Sequence, residues 1–137
     1  MTTRTAPGAA ARALVALAAA ATGLSLVVAA APADAGDREV VRRGSCSGST
    51  DWKLKAKQED GRIEVEAEID SNRNGRTWRW RLLHNGSVTA RGTKSTRAPS
   101  GSFEVRRVVV DLAGADHLKL RASNPASGET CRGAVTY

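Results

Sequence analysis

Apolar and charged residues alternate strictly along two neighbouring segments, residues 52–57 and 63–69. The first segment alternates apolar with basic residues, and the second alternates apolar with acidic residues. Asp60 and Gly61 lie between the two segments. A period of two is typical of a half-buried β-strand, and Asp-Gly is a strong signal for a two-residue hairpin turn. The pattern therefore predicts a β-hairpin.

The side chains of this hairpin also predict its register. A two-residue turn places basic residues opposite acidic residues on one face and apolar residues opposite each other on the other face. The predicted pairs are Lys57 with Glu64, Lys55 with Glu66, Lys53 with Glu68, Ala56 with Val65, Leu54 with Ala67, and Trp52 with Ile69. A slip of one residue would spoil both faces. Because exposed ion pairs contribute only tenths of a kcal/mol each, roughly, we expect a solvated face there and no binding site.

The same period of two continues through the rest of the chain. It predicts five further strands, at residues 76–83, 87–93, 103–112, 118–122 and 130–136. A three-residue loop of His84, Asn85 and Gly86 would pair Leu82 with Val88 and Trp80 with Ala90, which keeps like faces together. A two-residue turn would mix the faces. Within 103–112 the apolar phase shifts, which predicts a bulge at Arg106 and Arg107.

Seven short strands without any helical period indicate an all-β antiparallel sandwich. We expect the third, fourth, sixth and seventh predicted strands to form one sheet. Trp78, Trp80 and Trp52 are then expected in the core. The alternative, a sugar-stacking platform, would bury Arg79 and Arg81 at a cost of several kcal/mol, on the order of 2–7 for one unpaired polar group.

The N-terminus has the pattern of a secretory signal peptide. Arg4 and Arg12 precede an uncharged apolar stretch, residues 13–31, and Ala33-Asp34-Ala35 matches the small-x-small cleavage pattern. We expect cleavage after Ala35, with Ala33 as the alternative. The predicted organisation is a signal peptide at 1–35, a flexible segment at 36–45 and a β-sandwich domain at 46–137. The product is expected to be a secreted monomer without stable membrane association.

Two cysteines, Cys46 and Cys131, are expected to form a disulfide in an oxidising compartment. The bond would stabilise the fold by roughly 4 kcal/mol in the chain-entropy model. Cys46 precedes the first predicted strand and Cys131 opens the last. This placement favours first and last strands that lie parallel and adjacent, and it does not fit the bridge between sheets found in antibody domains.

The strand order and the turn at residues 124–128, Asn-Pro-Ala-Ser-Gly, resemble fibronectin type III and related immunoglobulin-like modules. The whole chain, including the leader, also resembles small secreted proteins of actinobacteria, a group to which no activity is assigned. The resemblance implies a seven-stranded immunoglobulin-like or fibronectin type III-like sandwich after a cleaved signal peptide. It implies no activity.

Positive charge is expected to concentrate on one sheet. Without the leader, 19 of 21 basic and 13 of 14 acidic residues remain, so the net charge is +6. Alternation points six basic side chains outward from the sheet of the third, fourth, sixth and seventh predicted strands, and no acidic residue alternates among them. These are Arg79, Arg81, Arg91, Lys119, Arg121 and Arg132. Such a face attracts polyanions, although many cationic faces are only solvated.

A calcium site has a weak candidate at residues 70–75. Asp70, Asn72 and Asn74 match the start of a calcium-binding loop, but Arg81 stands where a bidentate Glu belongs. A tight turn between strands is the favoured interpretation. We expect no cofactor and no bound metal.

The sequence favours a non-enzymatic protein. His84 and His117 belong to no motif with a serine or a carboxylate, and no G-x-S-x-G sequence is present. The leading hypothesis is a secreted binding module whose basic face meets a wall polymer, an acidic polysaccharide, DNA or an acidic protein. The alternatives are a protease inhibitor or interaction domain acting through an irregular loop at 93–102, which contains Lys94, Arg97 and Pro99, and a purely structural secreted domain.

Overall fold

The computed structural model describes residues 38–137. The helices and strands assigned in this part of the chain are all β-strands. The predicted signal peptide and its cleavage site lie outside these residues. The eight strands are β1 (Glu39–Ser45), β2 (Asp51–Glu59), β3 (Arg62–Asp70), β4 (Thr77–His84), β5 (Ser87–Ser95), β6 (Ser102–Val110), β7 (His117–Ser123) and β8 (Thr130–Thr136).

The strands form two antiparallel sheets of four strands each. The first sheet has the order β1-β2-β3-β6, and the second has the order β5-β4-β7-β8. The all-β sandwich and the membership of the second sheet are confirmed. The strand count is eight and not seven, because residues 39–45 form β1 where a flexible segment was predicted. Strand β1 lies at the edge of the sheet and pairs only with β2, and most of its residues are exposed. Because few of its side chains are buried, its sequence has no clear apolar alternation.

The β2–β3 hairpin has the predicted register at every pair, from Trp52 opposite Ile69 to Lys57 opposite Glu64. Its turn residues Asp60 and Gly61 have φ angles of 47° and 72°. Positive φ at both central residues is the requirement of a type I′ turn, whose twist matches that of the strands. Local turn chemistry and side-chain pairing therefore fix this hairpin.

The charged face of this hairpin is less solvated than predicted. Glu64 and Glu66 are buried beneath longer side chains, and β6 adds a third strand to the ladder. The carboxylate of Glu66 lies 2.9 Å from Lys55 Nζ and 3.1 Å from Arg106 Nη2. Burial raises the pKa of Glu66, but the hydrogen bond and charge of Lys55 outweigh burial and hold it below its ordinary value. The acidic strand β3 is thus neutralised from both sides.

The prediction of a three-residue loop in the β4–β5 hairpin is wrong. Asn85 and Gly86 alone form the turn, with φ angles of 47° and 88°. The register shifts within the strands instead, so that Leu82 faces Ala90 while Leu83 faces Val88. The extra residue needed to keep like faces together is in β5, as a bulge, and not in the loop.

The prediction of a bulge at Arg106 and Arg107 is wrong, because β6 pairs with β3 without a register shift. Arg107 points toward the space between the sheets, where its guanidinium lies 5.5 Å from the ring centre of Trp80. Val108 and Val110 lie on the outer face and are about half exposed. The apolar phase of the sequence changes here because Arg107 points inward while Val108 and Val110 point outward. An edge strand such as β6 tolerates this arrangement.

Tryptophans fill much of the space between the sheets, as predicted. Trp78 is fully buried and Trp80 nearly so, while Trp52 is partly buried. A Cβ atom added at Gly44 or at Gly133 would lie within 3.0 Å of the Trp52 ring. Trp52 therefore packs between the backbones of β1 and β8, which need glycine at these two positions.

The disulfide between Cys46 and Cys131 is confirmed, but its place in the fold differs from the prediction. Cys46 lies between β1 and β2 in the first sheet, and Cys131 lies in β8 of the second sheet. The bond therefore joins the two sheets, and β8 pairs with neither β1 nor β2. A backbone hydrogen bond next to the disulfide joins the same two segments, since Ser47 N donates to Thr130 O at 2.8 Å.

Removal of the disulfide is expected to destabilise the domain strongly. The two cysteines are 85 residues apart, so the bond restricts a large loop of the unfolded chain. We expect the Cys46→Ala/Cys131→Ala variant to lose roughly 4 kcal/mol of unfolding free energy, measured by urea titration. Reduction of the wild-type protein should give a similar loss. A loss below about 1 kcal/mol would contradict a loop-restricting role.

Candidate functional site: a cationic sheet face

Four arginines lie opposite one another across all four strands of the second sheet. Arg91 of β5 pairs with Arg81 of β4, Arg81 also pairs with Arg121 of β7, and Arg121 pairs with Arg132 of β8. We call these four residues the arginine row. Alternation turns them outward, because their neighbours Trp80, Leu82, Leu120 and Ala122 are buried.

The arginine row is flanked by two rows of different chemistry. On one side is a hydroxyl-rich row, and on the other side is a largely apolar row. The hydroxyl row consists of Thr93, Arg79, Ser123 and Thr130, and the apolar row consists of Val88, Leu83, Lys119 and Ala134. All six predicted basic residues therefore lie on one sheet face, and four of them form a single line.

The surface over the arginine row is a shallow groove of about 560 Å³. Arg79, Arg81, Arg91 and Arg132 are exposed, while Lys119 and Arg121 are half-buried. The groove includes the hydroxyl row as well as the arginines. Charged nitrogen and neutral hydroxyl groups are therefore available together to one ligand.

No carboxylate in the described part of the chain forms an ion pair with any of the six residues. Every ion pair of a lysine or arginine within residues 38–137 lies on the outer face of the first sheet or at its β2–β3 turn. The six side chains make one hydrogen bond within the same part, from Arg121 Nη1 to the carbonyl of Leu120 at 3.3 Å. Their guanidinium and ammonium groups thus remain available to a ligand.

The arginine row is costly to the fold by itself. Adjacent strands are about 4.8 Å apart, and like charges directly opposite each other are destabilising. In water each neighbouring pair costs on the order of 0.5 kcal/mol, and salt reduces this repulsion. In the first sheet each glutamate of β3 lies opposite a lysine of β2, and Glu66 also lies opposite Arg106 of β6, although Glu68 faces Glu104. Within residues 38–137 the arginine row therefore has no ion pair that would offset this cost.

The calcium candidate forms a tight turn between β3 and β4. Asp70 Oδ1 accepts a hydrogen bond from Asn72 N at 3.0 Å, and Asn72 has a φ of 53°. Asn74 is exposed. Within residues 38–137, no group of three or more His, Cys, Asp or Glu side chains is placed to hold a metal ion. The observed contacts match an Asx turn.

The loop proposed at 93–102 is shorter and better anchored than predicted. Residues 93–95 belong to β5, and Thr96 is buried with hydrogen bonds to Arg76 and Arg73. Arg97 is exposed, but its N–H donates to Ser102 O and its carbonyl accepts from Gly101 N, both at 2.9 Å. A protease inhibitor needs these main-chain groups free to pair with the enzyme. The contacts therefore do not favour inhibition through Arg97.

A histidine–carboxylate contact that the sequence analysis missed lies at the end of β4. His84 Nε2 is hydrogen-bonded to Oδ1 of Asp116, whose side chain is fully buried. Asp116 Oδ2 also accepts from Leu112 N at 3.3 Å. His117, in contrast, contacts Thr136 through Nδ1. The contact of His84 follows from pairing of β4 with β7, which are not neighbours in sequence.

Neutralising part of the arginine row is expected to stabilise the isolated domain. In Arg81→Thr the central repulsion disappears and a residue with good β propensity replaces arginine. We expect an increase of about 0.5–1 kcal/mol in unfolding free energy at low salt, measured by urea titration. The increase should shrink at 0.5 M salt because screening already weakens the repulsion.

The matched control is Arg62→Thr, which removes an exposed charge from a strand of the first sheet. It should give a smaller change with little salt dependence. Destabilisation by Arg81→Thr at low salt would show that the row is stabilised by contacts within the domain.

Loss of the Asp116 charge is expected to destabilise the fold in a pH-dependent way. Burial raises the pKa of Asp116, but hydrogen bonds from His84 and Leu112 and the charge of His84 hold it below its ordinary value. An acid with a lowered pKa stabilises the fold above its unfolded pKa and loses this effect as pH falls through the folded pKa. Asp116→Asn should therefore cost about 2 kcal/mol at pH 7.

Urea titration between pH 7 and pH 3 measures this difference. The gap between wild type and Asp116→Asn should narrow as the pH falls below about 4, the ordinary pKa of an aspartate, because the unfolded wild-type chain then binds a proton more readily than the folded one. Glu39→Gln, at an exposed carboxylate of β1, is the control. A gap that is constant with pH would contradict a charged, hydrogen-bonded Asp116.

Known proteins give no guide to the cationic face. No family model matches this chain, and neither the curated proteins nor the solved structures yield a match. In the described part of the chain no helix has the length and apolar character needed to cross a bilayer. The function therefore has to be inferred from the geometry of the face itself.

Proposed function

We propose that this protein is a secreted, non-enzymatic binding module whose cationic sheet face binds an anionic partner. The observation that carries the proposal is the arginine row, in which four like charges lie side by side and no carboxylate of residues 38–137 pairs with them. A surface that repels itself lowers the stability of the domain, and an anion would relieve that cost on binding. The partner is an acidic polymer or an acidic protein.

The opposite face of the sandwich supports this interpretation. The outer face of the first sheet also carries many charges, but its glutamates form ion pairs with lysines of β2 and with Arg106 of β6. Charge is therefore segregated between the two sheets and is not a uniform property of the surface. A segregated cationic face steers anions toward one side of the molecule.

We also propose that the domain is exported and is related to fibronectin type III modules, with β1 as an additional edge strand. Support comes from the disulfide, which is consistent with an extracellular protein. Without β1, the order β2-β3-β6 and β5-β4-β7-β8 gives a sandwich of three and four strands. The pattern of residues 1–35 supplies the export signal.

Binding to polyanions tests the function directly. Wild-type protein should be retained on immobilised heparin, and the logarithm of its affinity should fall linearly with the logarithm of salt concentration. A variant with Arg79, Arg81, Lys119 and Arg121 all replaced by Gln should bind at least about tenfold more weakly. Its salt slope should decrease by about one for each lost contact.

The control variant replaces four exposed arginines elsewhere by Gln and loses the same charge. These residues are Arg43, Arg62, Arg73 and Arg97. Equal weakening by both variants would mean that net charge governs retention and that the face is not a site. Retention of wild-type protein that ignores salt would also overturn the proposal.

A further inference from the structure

Building on that function, we propose that the cationic face binds a linear, phosphodiester-linked polyol chain that lies across the strands along the arginine row. The polymer would have no aromatic bases. Its phosphates would meet the arginines, and its neutral, hydroxylated segments would meet the two flanking rows.

The direction of the ligand follows from the direction of the row. The four arginines belong to four different strands, so the line of charge runs perpendicular to the strands. Three gaps of about 4.8 Å give a length of about 14 Å at the level of the backbone. A line of charge of this length suits an extended chain with several anionic groups better than a single compact anion.

The predominance of arginine among the cations of this face suits a phosphate ligand. Five of the six cations on this face are arginines, whereas the cations that pair along β2 in the first sheet are lysines. A guanidinium is a planar fork that binds phosphate through two parallel hydrogen bonds, while an ammonium acts as a point charge. Lysines of β2 and Arg106 of β6 balance the glutamates of the first sheet, whereas the five arginines of this face form no ion pair within residues 38–137.

The absence of stacking surfaces argues against nucleic acid. Proteins that bind single strands stack bases on exposed aromatic rings. Trp78 and Trp80 point into the core, and the exposed large apolar residues within 38–137 are Val88, Val108, Val110 and Leu112. Trp80 is among the residues that line the groove, but it is only 7% exposed, so the face offers no ring on which a base could stack. A polymer without aromatic bases has no stacking energy to lose on such a surface.

The flanking rows give reasons to prefer a polyol phosphate over inorganic polyphosphate. Thr93, Ser123 and Thr130 provide hydroxyls on one side of the arginines, and Val88 and Leu83 provide apolar surface on the other side. A chain that alternates phosphates with hydroxylated carbon segments uses all three rows. A chain that is charged at every unit can meet Arg79 and Lys119 as well as the central row, but it has no hydroxylated carbon segment for the hydroxyl and aliphatic groups beside them.

Titration with synthetic glycerol phosphate oligomers of increasing length tests the proposal. Affinity should rise with each phosphate until the oligomer spans about 14 Å, and then rise only slightly. Inorganic polyphosphate and oligodeoxythymidine with the same number of phosphates are the comparison ligands. Extrapolated to 1 M salt, where counterion release no longer contributes, the glycerol phosphate oligomer should bind at least about threefold more tightly than either.

A charge-relocation variant tests the role of the row. Arg132→Ala/Ala134→Arg keeps composition and net charge but moves one cation out of the arginine row, and both positions are exposed on β8. We expect about a tenfold loss of affinity for the glycerol phosphate oligomer, with an unchanged thermal unfolding midpoint. A merely electrostatic surface would bind both forms equally.

The outcomes separate this inference from the function beneath it. Tighter binding of oligodeoxythymidine or polyphosphate, or equal binding by the relocation variant, would overturn the inference while salt-dependent retention on heparin preserved the proposed function. Absence of binding to every polyanion would overturn both.

Discussion

The structure depends on one constraint, the strict alternation of side chains between the two faces of each strand. In β4 the buried positions are occupied by Trp78, Trp80 and Leu82, and therefore Arg79 and Arg81 must point to solvent. The same holds in β7, where buried leucines force Lys119 and Arg121 outward. Burial of the apolar side chains supplies the driving force, and the cationic face is its geometric consequence.

The two sheets treat charge in opposite ways. In the first sheet, every glutamate of β3 lies opposite a lysine of β2, and at Glu66 the favourable pairing extends across a third strand to Arg106 of β6. In the second sheet, pairing of β4 with β5 and β7 places arginine opposite arginine. Both faces have the same backbone geometry, so the difference lies in the side chains alone. The outer face of the second sheet therefore keeps a positive charge that no carboxylate of residues 38–137 neutralises.

Sequence reasoning succeeded where structure is local and failed where it depends on distant partners. The β2–β3 hairpin was predicted residue by residue, because turn chemistry and cross-strand charge both act over a few positions. The bulge in β5 and the straight course of β6 were not predicted. In β5 the twist between strands decides where an extra residue fits, and in β6 the inward Arg107 is accommodated by Trp80 from the other sheet.

The amino-acid sequence by itself determined the all-β class, the disulfide partners, the main hairpin and the six residues of the cationic face. Periods of two and turn residues encode these features within short stretches. Only the tertiary structure decided that β1 joins the first sheet, that the disulfide links the two sheets, and that four arginines form one line. These features depend on register between β4, β7 and β8 and on packing between sheets, where the free energy comes from contacts between residues far apart in the chain.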